Sequence, residues 1–217
     1  MNPELGLINT RDPIGLYIAA TGPRAQALTA RLRAGWISTI GDIDAASTSL
    51  RTMRSQRAAA GHGADALDSV VLTGGAILEE GEPADSRRAI AQAGPRAAML
   101  LHRAADQALA GMPNATPPSP AIADTVAGYI ELARGFRPQG AHYLENHRGH
   151  LMFVKPEERP FVTADLIRLT TITGTAPEIK DRIAALFAAG YDEVAIQIVP
   201  GQEHALEDWG HIRRAFV

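Results

Sequence analysis

The sequence contains no cysteine among its 217 residues. This absence excludes disulfide bonds, thiolate metal sites and cysteine nucleophiles. Aromatic residues are also scarce, at 5%, and neither sign of charge dominates, since the formal net charge is −3 at pH 7. Lysine and arginine are scattered along the chain, so the composition does not indicate a surface for nucleic acid or for an acidic membrane.

The sequence also lacks any apolar run long enough to span a membrane. Its first residues, MNPELGLINTRDP, have neither a basic region nor an apolar core typical of a signal peptide. We therefore expect a soluble, cytoplasmic protein. Neither G-x-S-x-G, nor a Walker loop, nor G-x-G-x-x-G occurs, so no motif identifies a catalytic residue.

The segment 13–41 has the pattern strand, glycine turn, helix, strand. The nearly continuous apolar run 14–20 predicts a strand buried on both faces of a parallel sheet. Thr21 can act as the helix N-cap, Gly22 allows a ligand to approach the backbone, and Pro23 suits the first helical turn. A helix that begins at the carboxyl end of a parallel strand can bind a phosphate. The alternative is an ordinary capped turn.

The second strand of this segment, 35–39, ends in a residue that can also contact an anion. The hydroxyl of Thr39 can donate to a phosphate oxygen, with Gly41 beside it. Thr39 is equally compatible with a simple role at a strand end. Asp42 follows, and its carboxylate either caps the next helix or repels a phosphate.

The rest of the chain continues the alternation of strands and helices. We predict strands over 68–78, broken at Gly74-Gly75, and over 193–199, the latter buried. Predicted helices cover about 43–60, 85–110, 121–134 and the chain from about 203. The helix over 85–110 contains a break or kink at Gly94-Pro95. A further helix begins at a capping box formed by Thr175 and Glu178 and stops at Gly190. The pattern predicts an α/β fold with a parallel sheet, in one domain over 1–217 with a helical and irregular insertion at about 85–162.

Histidines in the irregular region raise the question of a metal site. His147 and His150, with Glu145 nearby, form an H-x-x-H pattern in a glycine-containing stretch, and not the helical H-E-x-x-H that places ligands on one face. We therefore predict no metal site and assign these histidines a surface or packing role. His102 and His142 show no pattern of partners.

Three segments carry a family resemblance: LYIAATGPRAQALTARLRAGWIST, the central helices, and the run from HRGHLMFVKPEERPFVTADLIRL through TTITGTAPEIKDRIAALFAAGYDEVAIQIVPG. They resemble the luciferase-like monooxygenase superfamily, in particular its branch similar to methylenetetrahydromethanopterin reductase. The resemblance implies a (β/α)8 TIM-type barrel and an oxidoreductase that uses FMN or the deazaflavin coenzyme F420 for hydride transfer or monooxygenation of a small organic substrate. It also implies that Thr21, Gly22, Thr39 and Gly41 bind the cofactor phosphate.

The resemblance starts at the family's fifth strand, so it implies only the C-terminal half of the barrel. Half a barrel exposes sheet edges, and we expect a homo-oligomer or a partner chain that completes it. A fragment, a truncated product and a natural half-barrel all fit the sequence. One alternative is a non-catalytic half-barrel that only oligomerises or interacts. Another is an unrelated phosphate-binding α/β barrel enzyme.

Overall fold

A computed structural model describes residues 14–39, 42–112 and 117–216. The strands are β1 Tyr17–Ala19, β2 Gly35–Thr39, β3 Ser69–Thr73, β4 Ile77–Leu78, β5 Gly174–Thr175 and β6 Glu193–Ile196. The helices are α1 Pro23–Arg31, α2 Ile43–Ala59, α3 Arg87–Leu109, α4 Ala123–Arg134, α5 Tyr143–Asn146, α6 Ala164–Thr170, α7 Ala176–Ala189 and α8 Ala205–Arg213. No helix in these ranges is both long and apolar enough to cross a membrane.

The strands form a parallel sheet in the order β1-β2-β3-β6. Ile18 lies opposite Trp36, and Val71 pairs with Ser38 on one side and Val194 on the other. A second, two-stranded parallel sheet joins β4 to β5. Helices connect every pair of parallel strands, as parallel pairing requires. The predicted α/β class with a parallel sheet is confirmed.

The predicted glycine break lies between β3 and β4. A Cβ atom at Gly75 would lie 3.1 Å from the carbonyl carbon of Ile172 and 3.2 Å from the amide nitrogen of Thr173. The amide of Ile172 donates to the carbonyl of Gly74 at 3.0 Å. Glycine is needed here because the segment leading into β5 packs directly against this backbone.

Both edges of the four-stranded sheet are open in the described part of the chain. β1 pairs only with β2, and β6 pairs only with β3. Ile14 is 93% exposed and Leu16 is 56% exposed, while β6 is exposed or only half-buried along its length. The prediction that the strands in 14–20 and 193–199 are buried is therefore wrong, because an edge strand lacks a neighbour on one side.

The helices between β4 and β5 form a separate apolar core around α3. This helix runs 23 residues through Pro95, so of the predicted break or kink at Gly94-Pro95, the break does not occur. Gly94 is packed closely, since a Cβ there would lie 2.9 Å from Cγ2 of Val154. Fully buried residues of this core include Ala97, Leu101, Tyr129, Leu166 and Ile167.

The last α/β unit follows the sequence closely. Thr175 and Glu178 form the predicted capping box at the start of α7, and Gly190 ends the helix with φ of +102°. Such a left-handed conformation favours glycine because a Cβ would collide with the following carbonyl. Arg54 of α2 donates to the Gly190 carbonyl at 2.8 Å, which ties this turn to α2.

The carboxylate of Glu82 stabilises the turn before α3, so the stability of the protein should fall in acid. Glu82 forms an ion pair with Arg88 and accepts a hydrogen bond from the Ser86 hydroxyl at 2.6 Å. The hydrogen bond from Arg88 is the main cause that lowers the pKa of Glu82 from 4.5 to about 2.

We expect E82Q to lower the free energy of unfolding by about 1 kcal/mol at neutral pH. Because the pKa of Glu82 is lower in the folded state, the stabilisation is complete above about pH 4.5 and is lost as the pH falls towards 2. Urea unfolding of wild type and E82Q at pH 7 and pH 3 measures this. For E82Q, the difference in unfolding free energy from wild type should shrink between pH 7 and pH 3. The exposed control E80Q should show no such change. A difference for E82Q that stays the same in acid would contradict the prediction.

Candidate functional site

A small cavity lies where β1 and β2 end. Its volume is about 140 Å³, and both Thr21 and Thr39 line it. The structure therefore brings together two of the residues that the sequence indicated for phosphate binding. Gly22 is adjacent in the chain, whereas Gly41 lies outside the described residues.

The helix α1 begins next to this cavity without a side-chain cap. The N-cap residue is Gly22, and not Thr21 as the sequence suggested, and no side chain accepts from the first-turn amides. Thr21 lies one residue too early in the chain, because α1 begins at Pro23. A Cβ atom at Gly22 would meet nothing within 4 Å. The amino end of α1 is thus sterically open, and its amides and dipole favour an anion.

The amino end of α2 also borders the cavity, and the carboxylate of Asp42 caps it. Oδ1 of Asp42 accepts from the amides of Asp44 and Ala45 at 2.7 and 2.9 Å. Asp42 is therefore the helix cap that the sequence allowed. Its carboxylate also lines the cavity, so an anion bound there would lie nearer to α1, where the charge of Asp42 is less repulsive.

Buried hydrogen bonds hold the floor of the cavity. The indole nitrogen of Trp36 donates to the carbonyl of Ala20 at 2.8 Å, directly before the Thr21–Gly22 corner. The hydroxyls of Ser38 and Tyr191 are 3.1 Å apart. Burial raises the pKa of Tyr191, so its hydroxyl remains neutral. The floor therefore consists of neutral, hydrogen-bonded side chains.

A larger cleft of about 380 Å³ adjoins the cavity at Thr39, which lines both. α3 contributes Arg96 and Arg103 to this cleft. Arg96 is buried and donates to the carbonyl of Leu72 in β3 at 2.7 Å, and burial lowers its pKa. The cleft therefore lies over the carboxyl ends of the strands, the side on which α/β proteins bind ligands.

Three histidines meet at the wall of this cleft. Nδ1 of His150 lies 3.2 Å from Nδ1 of His102 and 3.1 Å from Nδ1 of His147. His102 is buried in α3, whereas His147 and His150 are half-buried and line the cleft. Burial lowers the pKa of His150, and the neighbouring histidines lower it further.

Below the histidines lies a buried ion pair. Nζ of Lys155 is 3.0 Å from Oε1 of Glu158, and both side chains are fully buried. Oε1 of Glu158 also lies 2.7 Å from Nε2 of His102 and 2.8 Å from the hydroxyl of Tyr129. Burial raises the pKa of Glu158, but hydrogen bonds from His102 and Lys155 outweigh burial and lower it to about 2.

The sequence did not identify this cluster. His102 was left without partners, yet it contacts residues 48 and 56 positions away. One local signal was present: His102 and Asp106 are four residues apart on α3, so their side chains lie on one helix face. The structure shows that both side chains contact the H-x-x-H segment, at His150 and His147 respectively.

Comparison with known proteins gives a family but no curated relative. The family model for luciferase-like monooxygenases matches residues 3–193. No curated protein matches the chain. Among solved structures, the coenzyme F420-dependent tetrahydromethanopterin reductase from Methanopyrus kandleri is 16% identical, with a TM-score of 0.50 over 89% of this chain and 48% of that chain. This likeness concerns the fold.

Two further structures give similar coverage. A riboflavin lyase, solved with modified FMN and riboflavin, is 16% identical with a TM-score of 0.48 over 92% of this chain and 43% of that chain. DmoA from Hyphomicrobium sulfonivorans is 16% identical with a TM-score of 0.46 over 92% and 41%. The chain thus spans less than half the length of each structure. With an α/β fold that matches part of a TIM-type barrel, and with its family model covering most of the sequence, the chain belongs to the luciferase-like monooxygenase family.

Proposed function

We propose that this chain is the phosphate-binding half of an oxidoreductase that uses FMN or the deazaflavin coenzyme F420 and acts on a small organic substrate. The observation that carries the proposal is the cavity shared by Thr21 and Thr39 beside the uncapped amino end of α1. Family membership supports a cofactor of this type. Gly41 belongs to the proposed set on the resemblance alone.

The residues around the cavity fit a phosphate group. Thr21 and Thr39 are exposed and supply hydroxyl donors, and the first-turn amides of α1 have no side-chain acceptor. The volume of about 140 Å³ suits a phosphate but not a whole flavin. The ring would have to lie beyond this cavity, and the cleft that adjoins it at Thr39 offers that room.

The cofactor, when bound, would supply the hydride or oxygen chemistry. The chain itself would anchor the phosphate through Thr21, Thr39 and the α1 amides. Arg96 and Arg103 place positive charge in the cleft, which favours an anionic substrate or cofactor group there. None of these residues is assigned as an acid or a base.

We further propose that a second copy or another chain covers the open edge at β1. Ile14 and Leu16 are exposed there, as is Tyr17 at 43%. Three large apolar side chains on or just before a strand whose outer edge has no partner among the described residues favour association, because the edge offers free backbone groups as well as apolar surface.

Cofactor titration tests the proposal. We expect FMN or F420 to bind the wild-type chain, seen as a change in its fluorescence, and T21V/T39V to weaken binding by about 100-fold, since each hydroxyl to a charged phosphate contributes roughly 1.5 kcal/mol or more. T52V is the control, because Thr52 is exposed on α2 and its hydroxyl donates to its own helix.

Sedimentation of the same samples distinguishes the second candidate, a non-catalytic half-barrel, which the open sheet edges favour. Association without binding of either cofactor would support that candidate and contradict the oxidoreductase. Equal cofactor affinity of T21V/T39V and T52V would place the phosphate elsewhere.

A further inference from the structure

Three imidazole nitrogens point towards one another at the cleft wall. The two contacts to Nδ1 of His150, from His102 and His147, are 3.2 and 3.1 Å. One ligand atom from each of these histidines lies within 4.8 Å of the others. The histidines come from α3 and from the segment after α5, so the convergence is a product of the tertiary fold.

The other ring nitrogens fix which tautomers are present. Nε2 of His102 lies 2.7 Å from Oε1 of Glu158, and Nε2 of His147 lies 2.6 Å from Oδ2 of Asp106. Because a carboxylate accepts hydrogen bonds, both Nε2 atoms carry protons. In the neutral form of each ring, the Nδ1 atom then directs a bare lone pair at His150.

His150 cannot satisfy both lone pairs. Its Nδ1 carries at most one proton, which serves one neighbour and leaves the other facing a nitrogen without a hydrogen between them. An additional cation at the centre, either a proton shared among the rings or a metal ion, would satisfy both lone pairs.

The spacing suits a metal ion. Zinc binds histidine nitrogen at about 2.0–2.1 Å in tetrahedral geometry, which places two nitrogen ligands about 3.3 Å apart. Two of the three separations, 3.1 and 3.2 Å, are close to this value, and all three lie within 4.8 Å. Metal-binding histidines also typically donate their second nitrogen to a carboxylate, as His102 and His147 do here.

We propose that His102, His147 and His150 bind a Zn²⁺ ion through their Nδ1 atoms, with the fourth position facing the cleft. Glu158 and Asp106 orient two of the three ligands. His147 and His150 line the cleft proposed to hold the cofactor ring, but the zinc proposal uses none of the residues proposed to bind the phosphate. It replaces the expectation from the sequence that H-x-x-H is a surface or packing element. His102 supplies the third ligand that the short motif lacks.

The charges around the histidines are compatible with a dication. Glu158 and Asp106 contribute negative charge at the Nε2 side, whereas Lys155 pairs with Glu158 and also donates to the carbonyl of Glu145 at 2.6 Å. Arg96 lines the same cleft. A positive charge near the histidines favours a hydroxide or another anion as the remaining ligand.

Metal titration of the purified full chain tests the proposal. After removal of metals with a chelator, we expect isothermal titration to show one Zn²⁺ bound per chain, and Co²⁺ to give the intense visible absorption of a tetrahedral site. Mg²⁺ should not bind, because it prefers oxygen ligands. H150Q should weaken Zn²⁺ binding by more than about 100-fold, and D106N by about 10- to 100-fold.

H142Q is the matched control, since His142 lies in the same irregular region but outside the cluster. Circular dichroism and thermal unfolding without metal show whether each variant is folded, and His150 is only half-buried, so its replacement should be tolerated. Failure of wild type to bind Zn²⁺, or equal binding by H150Q and H142Q, would overturn the proposal and leave a shared proton as the cation. Neither result depends on FMN or F420, so these measurements do not test the cofactor proposal, and the cofactor titration does not test this one.

Discussion

K155M should lower the free energy of unfolding by about 3–5 kcal/mol, the cost of leaving one member of a buried ion pair without its partner. Lys155 and Glu158 have no solvent exposure, so water cannot replace the lost interaction. Lys155 also lies 4.8 Å from the ring centre of Phe136. Urea unfolding, followed by circular dichroism, measures the change.

The effect should depend on the partner. In the double variant K155M/E158Q, no buried charge remains without a counter-charge, so we expect the loss of stability to be clearly smaller than the sum of the two single losses. The difference between the sum of the single losses and the loss in the double variant then measures the interaction energy of the ion pair.

An exposed pair with the same spacing provides the control. Arg134 and Glu131 are also three residues apart, but their side chains are 57% and 71% exposed. E131Q should change the free energy of unfolding by less than about 1 kcal/mol. If K155M and E131Q had similar effects, Lys155 and Glu158 would not be buried as the structure shows.

W36A should be the second variant with a large effect, at about 3–5 kcal/mol. Trp36 is 1% exposed, it stacks on Tyr191 with ring centres 6.1 Å apart, and its indole nitrogen donates to the carbonyl of Ala20. Its removal leaves a cavity under β2 and a carbonyl without its donor. Chemical unfolding measures the loss.

W36F separates these two contributions. Phenylalanine keeps an aromatic ring in the core but cannot donate to Ala20, so we expect a smaller loss of about 1–3 kcal/mol. Because Ala20 directly precedes the Thr21–Gly22 corner, W36F should also weaken any phosphate binding there more than L28A, a change at a half-exposed site on α1. Full stability in W36A would show that Trp36 is not a core residue.

Short-range patterns predicted much of the fold. The capping box at Thr175 and the glycine stop at Gly190 were predicted correctly because each depends on residues within four positions along the chain. Thr21 and Thr39 were proposed for the same reason, since Thr21 follows one predicted strand, Thr39 ends the next, and parallel strands end at one side of a sheet. The local pattern failed at the cap of α1, where Gly22 takes the place expected for Thr21.

The sequence by itself determined the alternation of strands and helices, the family, and the hydroxyl residues at two strand ends. Only the tertiary structure decided that 14–20 lies at an open edge, that Lys155 and Glu158 are buried, and that His102 meets His147 and His150. These features depend on contacts between residues distant in the chain, and the free energy of burying a charge or an imidazole depends on what surrounds it in space. The H-x-x-H pattern by itself does not show that His102, on α3, lies beside it.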